Sequence, residues 1–465
     1  MATLGPATHE EAIITAIIDA GVDVVRLNFS HGSYDDHALL IERVRRVATN
    51  AKKSVAILQD LQGPKIRLGK LPDEGVNVAD SDTIIFDTSL KEYTGSALPV
   101  DFSELHEQVE SGERLLINDG RIQTEILSIE GTRINAKVLH GGLLLSHKGI
   151  NVPDSKITVS ALTTKDRADA EFGVAHGVDY IALSFVRSAN DINELRDLVS
   201  TADKDTGAPI KIIAKMERPE AIDNHVAIIA AADGIMVARG DLGIEIEAAR
   251  VPIVQKQLIE AARLAAKPVI VATQMLDSMQ DSPQPTRAEV NDVANAVIDH
   301  TDAVMLSNES ATGHYPLDAV KIMADIIRTT EASTYDDALG THPEMKNSFN
   351  DVLSEIARVA SEEVTAKAIV TVSGDGQIAR HISRYRAQIP VLAVTDNDRV
   401  ARQLALSSGV YSIIARPTTV DEALALAAQY GCDSQVLESG DTVVVAVGEP
   451  LNEAQTISIL EVKTV

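Results

Sequence analysis

The chain has 465 residues, of which 42 are basic and 68 acidic, and a formal net charge of −26. That length exceeds one hydrophobic core and implies about three units of about 100–200 residues, while the acidic surplus disfavours nucleic acid or anionic membrane as a partner held by bulk electrostatics. The single cysteine, Cys432, excludes an intrachain disulfide and a multi-cysteine metal cluster, and its expected role is buried filler.

Taken in chain order, apolar segments at Ala2–Leu4, Val22–Leu27, Val55–Gln59, Asp179–Leu183, Ile210–Ala214, Gly234–Val237, Pro268–Ala272 and Asp302–Leu306 predict strands, most of them separated by one helical pattern. The first helix is the best signalled. Thr8 is placed to cap it, Glu11 to close a capping box, Ile13, Ile14, Ile17 and Ile18 to form its apolar stripe, and Gly21 to end it. Repeated strand-plus-helix units of this kind imply a (β/α)₈ TIM barrel, an α/β fold.

Between the third and fourth strands lie about 120 residues, where one unit needs roughly 30. From about Leu68 to Pro153 the pattern turns to alternating strands, with Arg114–Asn118, a two-residue turn at Asp119-Gly120, Arg121–Ile129 and Thr132–His140. This predicts an inserted all-β lid domain beside the barrel mouth. After a polar stretch at Ser333–Lys346, strands near Ile369–Val372, Val391–Val394, Val410–Ile414 and Val443–Val447 alternate with helices such as Val420–Tyr430, which predicts a C-terminal parallel α/β domain. The expected division is 1–67 with 154–335 for the barrel, 68–153 for the lid and 340–465 for the last domain. No apolar run approaches the ~20 residues of a spanning helix, and the start lacks the layout of a secretory signal, so a cytoplasmic protein is expected.

Barrels of this kind gather their chemistry at the C-terminal ends of the strands. The candidates there are Arg26, Asn28 and Ser30 after the second strand, Asp60 after the third, Lys215 and Glu217 after the fifth, Arg239 and Asp241 after the sixth, Thr273 after the seventh and Ser307 after the eighth. Lys215 and Glu217 are two apart, so both point to one side of their strand. Glu217 and Asp241 offer carboxylates of the sort that Mg²⁺ takes, one or two at a time with water and substrate oxygens; Glu217 as a simple ion-pair partner of Lys215 is the alternative. Gly240 and Gly243 flank Asp241 and let backbone N–H groups approach an anion. Arg26, Arg67 and Lys165 would bring positive charge to phosphates.

The strings Ala2-Thr-Leu-Gly-Pro-Ala-Thr8, Arg26-Leu-Asn-Phe-Ser-His31, Gly63-Pro-Lys-Ile-Arg67, Lys215-Met-Glu217, Met236-Val-Ala-Arg-Gly-Asp-Leu-Gly243, Ala272-Thr-Gln-Met275 and Pro285-Thr-Arg-Ala-Glu289 resemble the pyruvate kinase family, across all three expected domains. The resemblance implies phosphoryl transfer from phosphoenolpyruvate to ADP, then protonation of the enolate. It implies that Glu217 and Asp241 hold Mg²⁺, that a second Mg²⁺ arrives with ADP, and that Lys215 stabilises the transferring group. It also implies that Gly240, Asp241 and Thr273 hold the substrate carboxylate, and that Thr273, with Ser307 as a weaker relay, delivers the proton. Arg26 and Arg67 would contact phosphates, while Lys165 and Asn28, Phe29, Ser30 and His31 would line the nucleotide side. A homotetramer is the expected assembly.

Three departures from the family pattern carry expectations. Potassium-requiring members have glutamate where this chain has Lys65, so activity without K⁺ is expected although Asn28, Ser30, Asp60 and the Leu61 carbonyl match the family's potassium ligands. The loops Ser373-Gly-Asp-Gly-Gln377 and Gly448-Glu-Pro-Leu-Asn-Glu453 place Asp375, Glu449 and Glu453 where fructose-bisphosphate-regulated relatives bind a sugar phosphate, so that activator is not expected to act. Met1 falls inside the family's first strand, so either the start lies elsewhere or that strand is short.

Overall fold

A computed structural model describes residues 1–155, 160–203, 207–336 and 348–465. Part of the polar stretch at Ser333–Lys346, and the expected domain start at 340, lie outside the described residues.

Eight parallel strands pair in chain order: β1 (Ala2–Leu4), β2 (Val24–Asn28), β3 (Ala56–Asp60), β4 (Tyr180–Leu183), β5 (Lys211–Met216), β6 (Gly234–Ala238), β7 (Val269–Ala272) and β8 (Ala303–Met305). Their alternating side chains divide between two layers, as a strand period of two requires. Leu58, Ala182, Ile213, Met236 and Ile270 fill the inside of the ring. Ile57, Ile181, Ile212, Ile235 and Val271 face outward and are buried with the helices. The ring closes where Thr3 N donates to Leu306 O and Leu306 N to Met1 O, each at 3.0 Å.

The first helix spans Glu11–Asp19 and ends as expected, with Gly21 at a φ of +113° just beyond it. The expected cap is corrected. Thr8 instead closes a short 3-10 turn over Pro6–Thr8, and Glu10 precedes the helix without a side-chain cap. The Thr8 hydroxyl accepts from Gly5 N at 3.1 Å and donates to Ser310 O at 3.0 Å, so it ties the β1 loop to the segment after β8.

The inserted segment builds its own sheet, in the order Ile150–Asn151, Arg114–Ile117, Ile122–Glu130, Arg133–His140, Thr83–Asp87, Leu98–Pro99, around a core that includes Phe86, Leu115 and Ile134. Its hairpin turns at Asp119 and Gly120, whose φ values of +58° and +77° are those a two-residue turn needs, and Arg121 N donates to Asn118 O at 3.3 Å.

The C-terminal sheet runs Val410–Ile414, Val391–Thr395, Ala368–Val372, Thr442–Val447, Ile459–Thr464. The four strands expected from the sequence pair parallel, and a fifth that was not expected, Ile459–Thr464, adds antiparallel to Thr442–Val447. That edge strand carries Glu461 and Lys463 and is half exposed, so its pattern is too polar to read as a strand. Cys432 is also corrected, because it is exposed on the helix Val420–Asp433. This unit docks on the base of the barrel through Arg402 Nε to Asp179 Oδ1 at 2.8 Å, Arg386 to Asp302 at 3.0 Å and Tyr180 Oη to Gln403 O at 2.6 Å. Among the described residues no helix is long and apolar enough to cross a membrane.

Candidate active site

β2, β3 and β5 deliver the centre of the mouth. Arg26 Nε donates to Asp60 Oδ2 at 2.6 Å, and its Nη1 donates to Thr3 Oγ1 at 3.1 Å. Lys215 Nζ lies 3.3 Å from the other Asp60 oxygen, 2.7 Å from Glu217 Oε1 and 2.7 Å from Ser184 Oγ. Asp60 and Glu217 are each only 1% exposed. Charge placed here interacts through a low effective dielectric and is worth far more than at the surface.

Burial alone would push the Lys215 ammonium down, but Asp60, Glu217 and Asp241 outweigh it and hold its pKa above the ordinary lysine value. Burial likewise opposes ionisation of Asp60, yet Lys215 and Arg26 keep that carboxyl below the usual range. Glu217 is pushed up by its burial, with Lys215 opposing and the charge of Asp241 adding. Its Oε1, although beside Lys215, makes no well-directed hydrogen bond, and neither does Asp60 Oδ1. Such under-used buried carboxylate oxygens suit a hard divalent cation. Among the described residues no group of three or more His, Cys, Asp or Glu side chains gathers as a self-sufficient metal cage, and Mg²⁺, which completes its shell with water and substrate oxygens, does not need one.

β6 runs directly into a short helix, Arg239–Glu245. There Gly240 N donates to Thr273 Oγ1 at 2.7 Å, and a Cβ on Gly240 would come within 3.2 Å of that oxygen. Thr273 and Gln274 have φ values of +69° and +54°, a costly conformation for a β-branched residue. Arg239 holds that turn by donating to Thr273 O at 2.7 Å and Gln274 O at 3.2 Å, and is itself anchored by Asp292 at 2.7 Å. Asp241 Oδ1 lies 3.8 Å from Lys65 Nζ. Ser307 Oγ is buried without a hydrogen-bond partner, and Ser307 N donates to Glu309 Oε2 at 2.7 Å.

The loop after β2 forms a second cluster. Asn28 Oδ1 accepts from Ser30 N at 3.1 Å, the Phe29 ring stacks on His37 with centroids 4.0 Å apart, and His31 O lies 2.9 Å from His37 Nε2. Lys165 Nζ reaches in from its helix to Phe29 O at 2.7 Å and to the buried Asp169 at 2.6 Å. Asp169 also accepts from Tyr34 Oη at 2.8 Å, a bond that pushes the Tyr34 phenol up to about 12. Arg67 stands apart at the edge of the inserted segment, where it donates to His147 O at 3.0 Å. The Leu61 carbonyl accepts from Ser184 Oγ at 2.7 Å.

Three participants were not among the sequence candidates. Thr3 lies within β1 and Ser184 directly follows β4, the two strands for which no mouth residue is assigned above. Glu309 is 1% exposed and accepts from Leu276 N at 3.1 Å as well as from Ser307 N, so it joins the ends of β7 and β8.

A closed ring of parallel strands with ammonium, guanidinium and carboxylate groups converging at one end defines a TIM-barrel enzyme for anionic substrates. Residues 1–320 match the model of the pyruvate kinase barrel domain, and residues 351–463 match that of the pyruvate kinase alpha/beta domain. A pyruvate kinase of Agrobacterium vitis is 43% identical over 99% of this chain and 97% of its own length. One from Mycobacterium tuberculosis is 40% identical over 99% and 96%. The crystal structure of a pyruvate kinase from Cryptosporidium parvum superposes with a TM-score of 0.91 at 32% identity, covering 100% of this chain and 95% of that one. The chain belongs to the pyruvate kinase family, and it is an enzyme of that transferase class.

Proposed function

We propose that the enzyme transfers the phosphoryl group of phosphoenolpyruvate to ADP, giving pyruvate and ATP, with Mg²⁺ required, K⁺ dispensable and fructose bisphosphate without effect. The observation that carries this reading is the Lys215 ammonium, held among Asp60, Glu217 and Ser184 at the mouth. Both substrates are polyanions. Two unit charges 4 Å apart repel by about 4 kcal/mol at an effective dielectric of 20, so fixed cations must do most of the catalysis.

Glu217 and Asp241 would hold Mg²⁺, which when bound supplies Lewis-acid charge to phosphate and enolate oxygens. Lys215 positions and neutralises the transferring group, and Arg26 and Arg67 grip phosphate oxygens. The Gly240 and Asp241 amides with Thr273 orient the substrate carboxylate. The Thr273 hydroxyl, with Ser307 in support, governs the proton delivered to the enolate carbon. Asn28, Phe29, Ser30, His31 and Lys165 face the nucleotide, which brings the second Mg²⁺. Residues 68–153 act as a lid, and residues 340–465 serve regulation and assembly into a homotetramer.

The Lys65 ammonium, 3.8 Å from Asp241, supports K⁺ independence, because a tethered cation stands beside the proposed metal ligand. Asn28 Oδ1 and the Leu61 carbonyl, two of the groups that match potassium ligands, already accept hydrogen bonds from Ser30 N and Ser184 Oγ. The loops opposed to a sugar phosphate are closely packed: a Cβ on Gly374 would lie 2.1 Å from Asn452 O.

The test is ATP formation from phosphoenolpyruvate and ADP, with and without Mg²⁺, with K⁺ or tetramethylammonium, and with fructose bisphosphate added. No ATP overturns the reaction; a large rise with K⁺ or a leftward shift with fructose bisphosphate overturns the corresponding part.

A further inference from the structure

At the end of the barrel opposite the mouth, a cavity of about 210 Å³ lies between the strand beginnings and the C-terminal unit's helix Gln377–Ser383. Tyr180, Lys211, Asp233 and Lys267 form its barrel wall; Arg380 and His381 close it from the helix. We propose that this cavity is a binding site for a small oxyanion of the phosphate class, either free phosphate or the phosphate group of a compact monoester.

The charge balance of the lining carries the inference. Lys211, Lys267 and Arg380 share the lining with one carboxylate, Asp233, which lies 3.5 Å from Lys211 and is already held by Arg196 at 2.9 Å. Among the described residues neither Lys267 nor Arg380 has a carboxylate within ion-pair distance. Lys267 Nζ donates to Ala232 O at 2.8 Å, and Arg380 Nη2 to Asp375 O at 3.3 Å, which leaves both with donors to spare. Asp375 acts on Lys211 through space but accepts its own hydrogen bond from Gln377 N at 2.9 Å.

The cations feel one another. Burial pushes both Lys211 and Lys267 below the ordinary lysine value, with Asp233 opposing, and the charge of Arg380 lowers each further. In a chain with a net charge of −26, this cavity carries a local surplus of positive charge, and a dianion between the two walls would relieve it. At about 30 Å³ per water the cavity holds about seven waters, room for a phosphate with a short carbon chain but not for a nucleotide. The lining also reaches toward the chemistry: Lys211 and Lys215 lie four apart on β5 and so point to the same side, with Ile213 between them in the core of the ring.

Calorimetric titration of the intact enzyme with inorganic phosphate, at constant ionic strength, tests the site. Phosphate bound at the mouth contributes equally to every protein in the comparison, so a difference between variants at the base reports the cavity. Lys267→Gln/Arg380→Gln is expected to weaken one class of phosphate site by about tenfold or more, and Gln377→Glu, an exposed change that brings a carboxylate to Arg380, to weaken it several-fold. Glycerol 2-phosphate in a parallel titration separates the two sources, because the tighter binder identifies the ligand as monoester or free phosphate. Isotherms for both probes that are the same in the wild type and the variants would overturn the proposal. If the double variant does not fold, an unchanged isotherm for Gln377→Glu overturns it equally.

Discussion

Arg26 and Asp60, 34 positions apart in sequence, meet at 2.6 Å across adjacent strands, and the second oxygen of the same carboxylate faces Lys215 at 3.3 Å. Asp60 thus sets the spacing of two cations that would otherwise repel in a buried mouth. Asp60→Asn keeps the shape and removes the charge. Breaking a buried ion pair costs about 3–5 kcal/mol, so a lowered thermal midpoint and a large loss of turnover are expected together; a variant as stable and active as the wild type would show that Asp60 sets nothing.

Ser184 has no direct part in the proposed chemistry, yet its hydroxyl accepts from Lys215 and donates to Leu61 O, both at 2.7 Å. A hydrogen bond to a charged group contributes about 1.5–3 kcal/mol. Ser184→Ala is expected to lower kcat about tenfold to a hundredfold with little change in KM for phosphoenolpyruvate, measured by steady-state kinetics. A change in KM alone would assign Ser184 to binding.

Lys65 is expected to make the added monovalent cation unnecessary. Removing a charge aimed at the reacting region lowers kcat by about a hundredfold, so Lys65→Met should lose that much in tetramethylammonium and recover part of it in K⁺. Wild-type turnover should be indifferent to the exchange.

His300 gives a pH signature away from the chemistry. Its burial, with Arg386 and Arg263 adding, lowers its pKa from 6.5 to about 4 against the opposing charge of Asp299, and Asp336 lies 3.5 Å from its Nδ1. The unfolded chain therefore takes up this proton near pH 6.5 and the fold only near pH 4, so stability is lost as pH falls through that window. Discounted for partial solvent contact, the loss is about 2 kcal/mol. The difference in thermal midpoint between wild type and His300→Gln, followed from pH 7 to about 4, should shift in favour of the variant.

The barrel was legible because its strands are buried on both faces and read as apolar runs that end in polar residues; each predicted strand lies within two residues of its observed bounds. Residues that work through partners distant in sequence were not legible. Thr8 has the look of a helix cap, but its hydroxyl is engaged by Gly5 and Ser310, the latter 302 positions away. Ser184 and Glu309 follow the same logic, since Lys215 lies 31 positions from the first, and Leu276, one of the two residues whose amides the second accepts, lies 33 positions away. The edge strand Ile459–Thr464 escaped because half of its residues face solvent and alternate charge with apolar groups.

The seam between β1 and β8 joins groups more than 300 positions apart, as in the bond from Met1 N to Val304 O at 3.0 Å. During synthesis the first strand therefore waits unpaired on one edge until the eighth emerges from the ribosome, whereas the inserted sheet has all its partners long before. Over that interval the open edge is a template for mispairing, and the last βα unit to appear decides whether the ring exists at all.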